Sequence, residues 1–342
     1  MRAVLLALAL LMAGCTQPAA SPPLAAEAPL VDEPARAPAL VQGFHRVADL
    51  PALQAALAAH PASVAGPFVL GHSVGGAEIL GLRLIAPGAP AADRVRVLID
   101  GGIHGNEVYG TEAALYLAAW LVENYERNAT ARRILETTDL HVVGLLNPDG
   151  RNADARENAH AVDLNRNFDV DFGNPNPLCR SQSVSPLLPY YYAGPAPLSE
   201  PETSALAMYM EQLQPQIYLS HHTGRHALIR PWSACEPPAP MPDADDALFE
   251  AIEAWARANT AFQNTGTAAE TADRVFPPGA ASGSSADWCY LTYHCVALVL
   301  EVNEAYGEGA IDPAAVSGEA LPMSLHLLEH AQDYAAWRIP SP

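Results

Sequence analysis

His104 and Glu107 stand three residues apart in Gly102-Ile103-His104-Gly105-Asn106-Glu107, just after the apolar run Val95–Ile99. An imidazole and a carboxylate so spaced, past the end of a strand, can turn toward one cation. Both are ordinary members of a catalytic zinc shell, which leaves one position open for water. The pair alone also arises by chance around a surface histidine, so a third ligand is required. Leu219-Ser220-His221-His222-Thr223 supplies two candidates. Adjacent residues leaving a strand point to opposite faces, so only one of His221 and His222 can face the metal. Glu301, late in the apolar run Val296–Val302, adds a carboxylate that needs explaining. Burying it without a partner would be costly.

The elements that must position these groups follow from the texture of the chain. Leu50–Ala59 reads as a helix, and Phe68–Gly71 and Ile79–Ile85 as strands joined by a Gly75-Gly76 turn. Val95–Ile99, Leu140–Leu146, Ile217–Ser220 and Val296–Val302 read as strands. The continuous apolar runs suit strands covered on both faces. Tyr109–Asn124, Ala247–Asn259 and a closing stretch Leu321–Trp337 have helical character. Ser199-Glu200-Pro201-Glu202 reads as a capping box opening a helix to about Leu213. Strands separated by helices predict one α/β domain with a mixed, mainly parallel central sheet flanked by helices. In such a sheet the ligand crevice lies beyond the strand C-termini, where His104, Glu107, His222 and Glu301 fall.

Of 342 residues, half are hydrophobic, enough for one large core or two modest ones. Acids outnumber bases 38 to 18, for a formal charge of -20. Nucleic acid and anionic lipid are disfavoured as partners, since both need clustered Lys and Arg. Arg2 followed by the short apolar run Val4–Met12 reads as a secretory signal. Leu11-Met12-Ala13-Gly14-Cys15 resembles the bacterial lipoprotein box, so that residues 1–15 read as a signal with a lipobox-like end in which Cys15 becomes the acylated new N-terminus, the alternative being simple cleavage and release. Thr16–Leu40, rich in Ala and Pro, reads as a tether, and residues 41–342 as the folded domain. The expected location is the cell envelope, periplasmic or lipid-anchored, with membrane contact only through Cys15 and the protein a monomer. Export favours disulfides among Cys179, Cys235, Cys289 and Cys295. Of three pairings, Cys179–Cys235 with Cys289–Cys295 is preferred because the second pair is close in the chain.

His104-Gly105-Asn106-Glu107, Asn147-Pro148-Asp149-Gly150, Asp163-Leu164-Asn165-Arg166-Asn167-Phe168, Ser199-Glu200-Pro201-Glu202, Ser220-His221-His222 and Glu301 occur in one order. Together they resemble the zinc carboxypeptidase A/B family from about His45 to the last helix. The resemblance implies one Zn2+ per chain, held by His104, Glu107 and His222 in preference to His221. It implies Asp163 as the acceptor orienting His104, Glu301 as general base, and Arg156 as oxyanion stabiliser with Arg151 a minor rival. Asn165 and Arg166 match the pair that grips a terminal carboxylate, a task suited to a guanidinium fork. His160-Ala161 departs from the family's usual glycine. The family's capping tyrosine falls on Gly279 in an ungapped match, so that contact is lost, replaced or shifted.

The family's specificity position falls on Ala286, with Val299 nearby, which suggests an apolar or aromatic terminal residue. Arg225, Arg230 and Arg274 flank the same region and could instead recruit an acidic group. Three readings follow. The first is a metallocarboxypeptidase acting on peptides. The second is a murein peptide amidase cutting γ-D-glutamyl–diaminopimelate bonds in a muropeptide substrate. The third is a binding protein that kept the fold without turnover.

Overall fold

The computed structural model describes residues 33–60, 66–86, 93–174, 191–271, 281–309 and 311–336. In chain order the helices and strands are α1 (Leu50–Ala58), β1 (Pro67–His72), β2 (Glu78–Leu84), β3 (Val95–Gly101), α2 (Val108–Asn124), α3 (Ala129–Thr137), β4 (Thr138–Val143), α4 (Pro148–Ala153), α5 (Pro201–Leu213), β5 (Ile217–His222), β6 (Arg225–Arg230), α6 (Asp243–Asn259), β7 (Asn264–Thr267), α7 (Ser285–Tyr293), β8 (Val296–Asn303), α8 (Pro313–Glu329) and α9 (Ala331–Ala336). The strands form one sheet in the order β1-β2-β4-β3-β5-β8-β6-β7.

The inner strands β4, β3, β5 and β8 run parallel. They are the runs of Val, Leu and Ile that read as doubly covered, and β4 and β5 are buried along their whole length. Outside them, β1 pairs with β2, β2 with β4, and β6 with β8, all antiparallel. The fold is thus α/β with a mixed sheet, parallel at its centre. Helices α2 and α8 pack on each other and on the central strands, and α7 lies against β5 and β8.

Register decides where chemistry can occur. Gly101 on β3 is level with His221 on β5, and His222 is level with Glu301 on β8. The C-terminal ends of three parallel strands therefore open into one crevice.

Several expectations need correction. The helix after Ser199 starts at Pro201 with Glu200 as its N-cap residue, and no side chain caps it. Ser199 donates to Glu200, while Glu202 accepts from the Val74 amide and from Asn158. The closing helix begins earlier, at Pro313, and breaks after Glu329 before α9. Part of the expected tether is docked: the Arg36 amide donates to Asn124, and the Ala39 and Leu40 amides donate to Glu123, at the end of α2. Residues 1–32, including the signal and Cys15, lie outside the described residues, as do Cys179, Arg274, Gly279 and Trp337. The Cys289–Cys295 disulfide is present and joins α7 to the start of β8. Among the described residues no helix is long and apolar enough to cross a membrane.

The outer layer carries a titratable contact. His326 of α8 stacks on Trp255 of α6 at 3.5 Å and accepts from the Tyr334 hydroxyl of α9 at 2.7 Å. Burial, aided by His330, pushes its pKa down to about 4. The unfolded chain takes this proton near pH 6.5, so the fold loses stability as pH falls from there toward 4. His326→Phe keeps the stacking surface without the proton site. Its urea-unfolding free energy should fall less steeply than wild type, by about 2 kcal/mol between roughly pH 7 and 5. Parallel slopes would exclude His326 as the source.

Candidate active site

Gly105 allows the loop after β3 to fold. A Cβ there would come within 2.0 Å of the Gly150 backbone, so the His104–Glu107 loop and the start of α4 are in direct contact. Asn147 caps α4 by accepting from the Gly150 amide at 2.8 Å, and its amide group reaches the Ile103 carbonyl. Asp149 accepts from Ser73 and the Gly75 amide, tying the β1–β2 turn to the same point. The Asn-Pro-Asp-Gly motif thus builds the wall behind the metal loop.

His104, Glu107 and His222 present ligand atoms within 4.8 Å of one another, all buried. His104 Nε2 lies 2.9 Å from Asp163 Oδ1, which places the ring proton on Nε2 and leaves the Nδ1 lone pair toward Glu107 Oε1 at 2.8 Å. His222 Nδ1 faces the other Glu107 oxygen, also at 2.8 Å. A lone pair facing a carboxylate this closely requires a proton or a cation between them. Two imidazoles, one carboxylate and an open side toward a cleft fit Zn2+. His221 instead turns into the core, with Nε2 3.2 Å from Ser324 Oγ.

Arg156 binds the shell from the side, donating to Glu107 Oε1 at 2.8 Å and to Asp163 Oδ2 at 2.9 Å. Burial alone would raise the Glu107 pKa, but the His104 and His222 rings hold it well below the usual range. Asp163 is likewise held low against its burial, chiefly by Arg156 and Arg166. Glu301 behaves oppositely: burial and the neighbouring Glu107 push it up. Its Oε2 is buried without a hydrogen-bond partner among the described residues.

His104, Glu107, His222, Arg156 and Glu301 line a cavity of about 250 Å³ with Asn165, Arg166, Tyr191, Arg225 and Tyr306. Asn165 sits in the 3-10 turn Leu164–Arg166, and its Oδ1 accepts from the Ser285 amide at 2.9 Å. Arg166 donates to the Asn165 carbonyl and lies over the Tyr191 ring. Arg151 is away from the cleft, buried and paired with Glu308. Ala286 is buried in the first turn of α7 and is not among the cavity-lining residues. Val299 does line it, with Ile229, Ser233, Ala268, Ala281 and Ser284. The α7 start turns Ser284 to the cleft and Ala286 to the core, which displaces the specificity expectation. Arg230 is held by Asp246 and Glu253.

Tyr191 and Tyr306 were not found from sequence. The Tyr306 hydroxyl closes over Gly224, where φ is +145° and a Cβ would approach it within 2.3 Å. Burial and the nearby Glu107 and Glu301 push its pKa up to about 12. An aromatic residue closely following the strand that carries Glu301 was the available signal.

Asp163 orients His104 without facing the cleft. Asp163→Asn should weaken zinc affinity about tenfold to a hundredfold, measured by competition with a chromophoric chelator. Unchanged affinity would remove that role.

Residues 51–316 match the family model described as zinc carboxypeptidase. The chain is 26% identical over 280 residues to carboxypeptidase SOL1 of Arabidopsis thaliana, covering 80% of this chain and 53% of that protein. It is 29% identical over 213 residues to carboxypeptidase Z of Homo sapiens, covering 56% of this chain and 32% of that one. The chain therefore spans about half the first relative's length and about a third of the second's. Among solved structures, thrombin activatable fibrinolysis inhibitor is similar with a TM-score of 0.68 at 20% identity, covering 86% of this chain and 75% of that one. Carboxypeptidase A from Helicoverpa armigera gives 0.66 at 19%, covering 86% and 74%. At such identities these structures bear on the fold alone. The family match is of another kind: it runs from α1 into α8 and takes in every described residue that lines the cleft, so the chain belongs to the zinc carboxypeptidase family.

Proposed function

We propose that this protein is a zinc-dependent metallocarboxypeptidase that hydrolyses the C-terminal bond of peptides. The observation that carries the reading is one cavity lined by His104, Glu107, His222, Glu301, Arg156, Asn165 and Arg166. His104 and His222 through Nδ1, with Glu107, would hold the ion. When bound, zinc supplies Lewis acidity, lowering the pKa of a water and polarising a carbonyl.

The chain's own residues account for the remaining steps. Arg166, with Asn165, takes the substrate's terminal carboxylate, which sets the scissile bond at a fixed distance from the shell. Glu301 receives the proton of the attacking water and returns it to the leaving amine. Its raised pKa suits a group that must both take and give a proton. Arg156 faces the oxygen on which negative charge develops, and its pairing with Glu107 and Asp163 keeps it in place beforehand.

Glu301→Gln tests the base. Zinc content should stay near one per chain while kcat falls by about a thousandfold or more, since this group serves both proton transfers. Full activity in that variant would refute the assignment. C-terminally free peptides assayed beside purified muropeptides test the substrate, and cleavage of muropeptides alone would transfer the reading to cell-wall hydrolysis.

Export belongs to the same proposal. Arg2, the apolar run Val4–Met12 and Cys15 support an envelope enzyme carrying a lipid at Cys15. Labelled palmitate should be incorporated by the wild type and not by Cys15→Ser; an unlabelled, released wild-type protein would support simple secretion instead.

A further inference from the structure

The cleft carries more positive charge than the proposed chemistry uses. Among the described residues three arginines line it: Arg156, Arg166 and Arg225. Arg156 is engaged by Glu107 and Asp163, and Arg166 is reserved above for the terminal carboxylate. Arg225 has neither duty. It opens β6 just after His222-Thr223-Gly224, level with Asn303 and so two residues beyond Glu301 along β8. Partly buried, it donates from Nη1 to the neutral Thr271 hydroxyl at 3.3 Å. Among the described residues it forms no salt bridge, whereas Arg230 at the far end of the strand is occupied by Asp246 and Glu253.

A guanidinium partly withdrawn from water and facing a cavity has lost hydration that an anion would replace. The rest of the molecule sharpens this point. A chain of net charge -20 repels acidic substrates at long range, so an acidic substrate needs cations inside the cleft itself. The apolar Val299, Ile229 and Ala268 line the cavity beside Ser233 and Ser284, giving a wall that is neither wholly greasy nor charged. Among the described lining residues, Arg225 is then the remaining group able to choose by charge.

We infer that Arg225 receives a second carboxylate of the substrate, so that the favoured peptides carry an acidic side chain in the terminal or the penultimate residue. The inference rests on the carboxypeptidase reading and narrows its substrate class. A rival role exists, because the charge of Arg225 also acts on Glu301. Acting through Glu301, it would affect every substrate alike.

Three N-blocked peptides ending in Gly-Phe, Gly-Glu and Glu-Phe separate the cases, given to the zinc-loaded full chain and to Arg225→Gln and Arg225→Lys. In the wild type, kcat/KM for one acidic peptide should exceed that for Gly-Phe by about tenfold or more. Arg225→Gln should shrink this acidic-to-neutral ratio by about 10- to 100-fold, with Arg225→Lys restoring part of it. Which acidic peptide leads identifies the position of the second carboxylate. A wild type that prefers Gly-Phe to both, or a ratio untouched while all three peptides slow together, would overturn the inference. If no peptide is cleaved, the carboxypeptidase reading itself fails. Calorimetric binding of the same peptides to Glu301→Gln still reads Arg225: tighter, Arg225-dependent binding of an acidic peptide supports the inference, and equal binding overturns it.

Discussion

The carboxylate of Glu107 is the point on which the site depends. One oxygen meets His104 and Arg156, and the other meets His222 and the Thr223 amide. Removed from water, such a group is tolerated only because each lone pair has a partner. Those partners come from the loop after β3, the segment after α4, and the end of β5. Satisfying one buried charge therefore fixes the mutual positions of three segments that are distant in sequence. The sheet makes this feasible, since the parallel register sets the ends of β3, β5 and β8 level before any side chain is placed.

Behind the shell lies a second polar layer that holds its members still. Tyr218 donates to Asp100 and lies 2.9 Å from Ser285, whose amide donates to Asn165. Asn165 in turn approaches His222. Networks of this kind are costly when incomplete and rigid when complete. Here the network connects the floor of the sheet to the residues proposed to hold substrate, so the clamp and the shell share one support.

Much of this was legible because the informative residues are short-range or apolar. β3, β5 and β8 announce themselves as runs of Val, Leu and Ile, and His104 with Glu107 needs only a three-residue spacing. Glu301 stood out as a charge within such a run. Other features carry no local signature. β6 begins and ends in arginine, and it is a strand because β8 and β7 flank it. α7 lacks a clear apolar stripe and is recognisable chiefly by Ser284 at its start, which accepts from the Asp287 amide. Ala286 matched a family position, yet the turn of that helix directs it into the core. Tyr191 and Tyr306 reach the cleft from loops, where sequence spacing does not determine direction. The docking of Arg36, Ala39 and Leu40 on α2 has no sequence signature either, because it uses backbone amides, which any sequence supplies.

The contacts of the two imidazoles with Glu107 also bear on how the site is filled. The two ring nitrogens and the carboxylate that would grip a dication carry lone pairs that a proton can also take. Loading is then an exchange, with protons leaving as the ion enters, and acid and metal compete for one set of lone pairs. Acidity around the protein would set the charge state of the shell as directly as metal supply does, and occupancy would report both at once.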